Sequence, residues 1–183
     1  MGRMLKAMAW KRRLARALGR PEKLAVLGVG NVARGDDAAG VRVAEALTSL
    51  AGGGATPRFK VFVTDEAPEN FTGPVREFAP THVLIIDAVA AGFRPGAIFI
   101  VEPGAVPEED VSTHRTPLST LAGYLERTVG CRVVILGIEP AALAPGAPLS
   151  PAARRAIERV AASLARFASR RLRSSSASGR RYS

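Results

Sequence analysis

With a single cysteine, Cys131, the chain cannot form an internal disulfide framework. Aromatic residues are also scarce, at 5% of the chain with one Trp and two Tyr, so the interior must be filled mostly by Ala, Val, Leu and Ile. No apolar stretch approaches the roughly 18 residues that a membrane-spanning helix needs. The start has no long apolar segment followed by a small-residue cleavage site, so a cytoplasmic setting is expected rather than secretion. The Walker phosphate-binding pattern is missing, and so is the G-x-S-x-G elbow of serine hydrolases. Ser112 and Ser119 flank His114 without that elbow, which disfavours covalent catalysis. Cys131 opens an apolar strand and reads as core.

Acid is missing from both ends. Residues 1–23 carry eight Lys/Arg against one Glu, and residues 166–183 carry six Arg and no acid. The formal charge of +10 therefore belongs to the ends, and the segment between them is net acidic. Basic ends of this kind make salt-sensitive phosphate contacts, but solvated extensions explain them more simply. Nucleic-acid binding is not expected of them, nor is a membrane partner. Residues 3–18 have an amphipathic helical pattern, with Met4, Met8, Leu14 and Leu18 on one side and Lys6, Arg12, Arg13 and Arg16 opposite. A transit segment, an upstream start and an accessory helix packed on the domain all fit that pattern.

What the chain does contain is a strong α/β rhythm. Residues 24–41, LAVLGVGNVARGDDAAGV, begin as a buried strand, tighten at Gly28 and Gly30, and continue as a helix. Asp36 and Asp37 fall on the turn between them, where a parallel sheet collects its ligands. The plain alternative is that they cap the helix. Arg58 to Thr64 suits a second strand and residues 71–78 a short helix or turn. Thr81 to Asp87 is a continuous apolar run of the kind found in a central strand covered on both faces. Residues 96–101 follow after too short a link for a parallel crossover, so that strand should lie antiparallel at an edge. A helix over 117–128, a last strand over 131–138 and a long helix from Pro151 to about 169, capped by Ser150, complete the pattern. The expected fold is a three-layer α/β/α sandwich around an about five-stranded, mostly parallel sheet with one antiparallel strand. The expected organisation is a basic N-terminal extension (1–23), one domain (24–169) and a disordered basic tail (170–183).

Three polar groups stand where strands release the chain toward one rim. Asp37 follows the first strand, Asp87 closes the third, and His114 lies on the loop before the next helix. An acid closing an apolar strand is costly to bury without a partner, which points to a site rather than packing. Taken singly, Asp87 as a structural acid and His114 as an ordinary loop histidine remain open. Together, two carboxylates and an imidazole suit a divalent transition metal such as nickel, zinc or iron. His82 begins a strand and reads as structural. A rival reading takes Gly28-Val29-Gly30-Asn31-Val32-Ala33 as a dinucleotide turn with Asp65 on the ribose. Asp36 and Asp37 would crowd the pyrophosphate there and repel it.

These blocks resemble the hydrogenase maturation endopeptidases, in particular the hydrogenase 3 (formate hydrogenlyase) type. The resemblance rests on LGVGNVARGDDAAGV, on Ala67-Pro68-Glu69-Asn70, on LIIDA at residues 84–88, on Ser112-Thr113-His114 and on Gly137-Ile138-Glu139-Pro140. It covers roughly residues 24–168. It implies an aspartic-type endopeptidase that trims the C-terminal extension of a nickel–iron hydrogenase large-subunit precursor. Asp37, Asp87 and His114 would be the metal-contacting positions, with Asp37 and Asp87 catalytic. The metal implied is nickel carried by the precursor, and other divalent metals fit the same donors. A noncatalytic metal-binding assembly factor is the alternative. Many members carry glycine where this chain has Ala38; alanine suits that position if it is helical.

Overall fold

The computed structural model describes residues 2–52, 55–101 and 118–172. Strand β1 (Leu24–Val29) is buried at every position and sits inside the sheet. It pairs in parallel with β3 (Phe59–Asp65) on one side and β4 (His82–Ala88) on the other. Beyond β4, β6 (Arg132–Ile138) continues the parallel set. The short β5 (Ile98–Ile100) runs antiparallel along the outer edge of β6, where the short link from Asp87 required it. A sixth strand, β2 (Ala55–Thr56), was not expected; it turns back antiparallel on β3. Two residues are too few to show an alternating pattern, so the sequence carries no trace of it. Among the described residues the strand order is β2-β3-β1-β4-β6-β5.

Period-2 alternation sends each strand's side chains to two separate cores. Leu24 and Val26 of β1, with Leu84 and Ile86 of β4, face helices α1 (Gly2–Leu18), α2 (Ala39–Leu50) and α5 (Pro151–Arg171). Ala25 and Leu27, with Val83 and Ile85, face α3 (Thr72–Phe78) and α4 (Leu118–Val129) through Val75, Leu121 and Leu125. Both faces of β1 and β4 are thus apolar, which is why these strands read as continuous hydrophobic runs.

The N-terminal helix packs on the domain. Trp10, Leu14 and Leu18 are buried in the α1–α2–α5 core, while Arg12, Arg13 and Arg16 are exposed. The side chains of Met4, Lys6 and Met8 lie outside the described ones. The helix ends at Leu18, where Gly19 takes φ 59° and donates its N–H to the Ala15 carbonyl, before Pro21 is reached. At the other end of the chain, α5 starts as the sequence predicts, with Ser150 Oγ accepting the Ala153 N–H at 3.1 Å and Pro151 in the first turn. It runs two residues past the expected stop, to Arg171, and Leu172 beyond it is buried. Part of the stretch expected to be a disordered tail therefore closes the core; residues 173–183 lie outside the described residues.

Candidate functional site at the carboxyl rim of the sheet

Four acids are buried among the described residues, and all four lie at or just past the carboxyl ends of parallel strands. Asp36 and Asp37 come after β1, Asp87 lies near the end of β4, and Glu139 follows β6. Two of them tie loops together. The Asp36 carboxylate accepts hydrogen bonds from Ala141 N–H, Ser150 N–H and Ser150 Oγ, each at 2.7 Å. Its own N–H donates to the Ala142 carbonyl at 3.0 Å. Asp36 therefore does not cap α2; it fixes the β6–α5 loop to the β1–α2 turn across more than 100 residues of chain. Glu139 does the same for the β4–β5 loop. Its Oε2 accepts the Ala91 N–H at 3.0 Å, and its backbone bonds Gly96 and Ala97.

The other two acids are Asp37 and Asp87. Asp37 sits in a single turn of 3-10 helix, Gly35–Ala38, which packs against β4. Ala38 there is right-handed, at φ −68° and ψ −7°, so alanine fits that position without strain. Asp87 faces the α3–α4 side, and its Oδ1 accepts the Ala88 N–H at 2.8 Å. Its register partner is Gly137 of β6, which in turn pairs with Phe99 of β5. The Phe99 ring covers Gly137 so closely that a Cβ there would lie 2.7 Å from it.

Close backbone contact sets the height of Asp37 above the sheet. A Cβ on Gly40 would lie 2.0 Å from the Ile86 carbonyl oxygen and 2.2 Å from that of Val29. The first turn of α2 thus rests directly on the ends of β1 and β4, and only glycine permits it. Gly30, at φ 147°, lies under the Asp37 carbonyl, which a Cβ would meet at 1.9 Å. The same contact closes the glycine turn against a dinucleotide. The chain's own backbone fills the space over Gly30 that a pyrophosphate would use, and Asp65, the proposed ribose acid, is exposed at the end of β3.

Asp37 and Asp87 are thus brought to adjacent strand ends of one rim. His114, and Ser112 beside it, lie outside the described residues. Among the described residues no three of His, Cys, Asp and Glu group closely enough to hold a metal ion. Ser119 is exposed on α4. Cys131 is buried at the start of β6, and desolvation pushes its thiol pKa up, as expected of a core cysteine rather than a nucleophile. His82 stands at the opposite end of β4, its Nδ1 3.1 Å from Thr81 Oγ1. Burial first, and the Arg132 charge second, lower its pKa. The roles of Asp36 and Glu139 were not read from sequence. Glu139 was open to the rule applied to Asp87, an acid closing an apolar strand; Asp36 had no local signal.

A three-layer α/β/α domain whose parallel strands deliver buried carboxylates to one rim is a frame for hydrolytic or metal-contacting chemistry. The chain belongs to the hydrogenase maturation protease family: the family model described as HycI, hydrogenase maturation protease, matches residues 41–166. It is 36% identical over 138 residues to the hydrogenase 3 maturation protease of Escherichia coli K12, covering 74% of this chain and 84% of that one. The structure is similar to that of a nickel–iron hydrogenase maturation protease, HycI, from Thermococcus kodakarensis. The TM-score is 0.76 at 32% identity, with 85% of this chain and 97% of that one covered. A crystal structure of a hydrogenase 3 maturation protease aligns with TM-score 0.66 at 35% identity, over 76% of this chain and 87% of the other. Among the described residues no helix is long and apolar enough to cross a membrane.

Proposed function

We propose that this endopeptidase removes the C-terminal extension of a nickel–iron hydrogenase large-subunit precursor after nickel has been inserted. Asp37, Asp87 and His114 are the groups that contact the nickel carried by that precursor. The observation that carries the reading is the burial of Asp37 and Asp87 on neighbouring strand ends, with Asp36 and Glu139 holding the loops around them. Two carboxylates balance a divalent charge, and with an imidazole they form a borderline donor set suited to nickel. The metal, where present, supplies positive charge that polarises a carbonyl or fixes the position of the bond.

The chain's own acids do the rest. In an aspartic-type reading, Asp37 or Asp87 takes a proton from water as its oxygen adds to the scissile carbonyl carbon. The carbon–nitrogen bond then breaks, and the proton passes to the departing amine, leaving a new carboxyl end on the large subunit. Burial favours such a role because it strengthens every charge contact nearby. Intact-mass measurement of nickel-loaded and nickel-free precursor after incubation tests the proposal. Shortening of the loaded form alone is expected. Equal shortening of both overturns the nickel requirement. Tight binding with no shortening overturns the peptidase role and leaves an assembly factor.

A further inference from the structure

Surface loops are ordinarily rich in Gly, Pro, Asn, Asp and Ser, which satisfy the turn backbone and face water. Two of the loops around Asp37 and Asp87 keep the Gly and Pro but lack the polar side chains. Residues 141–148 read A-A-L-A-P-G-A-P, without one polar side chain, and all but Ala147 are exposed. Residues 88–93 read A-V-A-A-G-F and end on Phe93, 55% exposed. Val32, in the turn after β1, is 51% exposed. Of the five large apolar side chains exposed among the described residues, three (Val32, Phe93 and Leu143) lie on this one rim. The other two, Leu50 and Tyr124, sit apart on α2 and α4.

These loops are fixed to one another. Gly146 N–H donates to the Ala33 carbonyl at 2.8 Å, and Arg34 Nε to the Leu143 carbonyl at 3.2 Å, so the loops of Val32 and Leu143 are sewn together. Glu139 anchors the Phe93 loop through Ala91, and the Phe93 ring packs on Phe99 at 4.9 Å. Phe99 in turn covers Gly137, the register partner of Asp87. Apolar surface held in place beside a site marks an interaction surface.

We propose that this rim is the platform on which an extended, apolar stretch of the precursor polypeptide docks, next to the bond to be cut. The inference rests on the peptidase reading, and continuity with the candidate site selects the occupant. A peptidase must hold its substrate's main chain across its carboxylates, and the residues flanking the cut must then cross the very loops that deliver Asp37 and Asp87. Small and aliphatic side chains of the precursor would cover Val32, Phe93 and Leu143.

The test is the triple variant V32S/F93S/L143S, with L50S/Y124S as the control away from the rim. All five positions are exposed, so both proteins should keep the thermal midpoint of the unaltered chain. Steady-state cleavage of the precursor is followed by intact mass, and precursor affinity is measured separately in the D87N background. The triple variant should raise KM, and weaken D87N binding, by about tenfold or more, with kcat held within about twofold. The control should change neither. An unchanged KM and affinity in the triple variant overturns the proposal, and so does an equal loss in the control. If the unaltered chain self-associates in sedimentation and the triple variant is monomeric with KM unchanged, the rim belongs to a second copy and the proposal fails. Should the unaltered chain cut no precursor at all, the peptidase reading fails by itself, while the binding comparison still decides this one.

Discussion

The two ends of the sheet are joined by the same parallel strands yet solve opposite problems. At the amino end, Thr81 is the hub. Its Oγ1 accepts the N–H groups of Glu22 and Lys23 and donates to the Lys23 carbonyl, which also takes the N–H groups of Thr81 and His82. The side chains there are half-buried or exposed, and water can replace a lost partner. At the carboxyl end, four acids are buried among the described residues, and the stretches 88–93 and 141–148 above them carry no polar side chain. Neither arrangement is cheap to invert. An end made to hold the chain together uses local, water-replaceable hydrogen bonds. An end made to act on something else collects charge under cover and accepts the folding cost of doing so.

The largest expected effect is on chemistry. D37N and D87N each keep the shape of the side chain and remove its negative charge, and each should lower the cleavage rate by about a thousandfold or more. The matching change at the other rim, H82Q, should leave the rate unchanged. Single-turnover cleavage of the precursor reads both; a rate within tenfold of the unaltered chain in D37N and D87N would remove the difference in kind between the two ends.

Stability separates the ends next. D36A leaves the Ala141 and Ser150 N–H groups and the Ser150 hydroxyl without their buried, charged acceptor, and should cost about 3 kcal/mol, because these charge-assisted bonds join two loops. T81A removes a hub with as many bonds but with water beside it, and should cost about 1 kcal/mol. Urea unfolding of both variants gives the comparison. Equal costs would show that burial is not what distinguishes the two rims.

The smallest effect is a pH dependence confined to the amino end. An unfolded His titrates near 6.5, and folding lowers that value at His82 through burial and then the Arg132 charge. As pH falls through about 6.5 the unfolded chain takes up a proton that the folded one refuses, so the unfolded state binds more protons and stability drops. Above that pH the contribution is fully present; below the folded value it falls no further. Thermal midpoints of the unaltered chain and H82Q, measured between pH 7.5 and 5.5, should diverge at the acid end, with H82Q losing less.

Much of this was legible along the chain because its causes are local. The apolar run at Leu24, the glycine turn and the acids after it placed a carboxylate at a strand end, and the structure has Asp37 there. Ser150 and Pro151 announced the start of α5 through the needs of its first N–H groups. The short link after Asp87 predicted an antiparallel edge strand because too few residues remained to cross back. The departures have long-range causes. Asp36 looked like a helix cap because its true partners, Ala141 and Ser150, are more than 100 residues away. The N-terminal helix showed its apolar side but not what would cover it. Glu139 was visible as an acid after a strand, but not as the anchor of a loop that precedes it by almost 50 residues.

By itself, then, the sequence determined which segments become strands and helices, and which acids reach a strand end, since propensity, periodicity and capping act over a few residues. Only the tertiary structure decided that Asp36 and Glu139 hold distant loops. It also decided that Val32, Phe93 and Leu143 lie on loops of one rim and that a basic helix closes the core. Those outcomes depend on burial and on partners that become neighbours only when the sheet assembles.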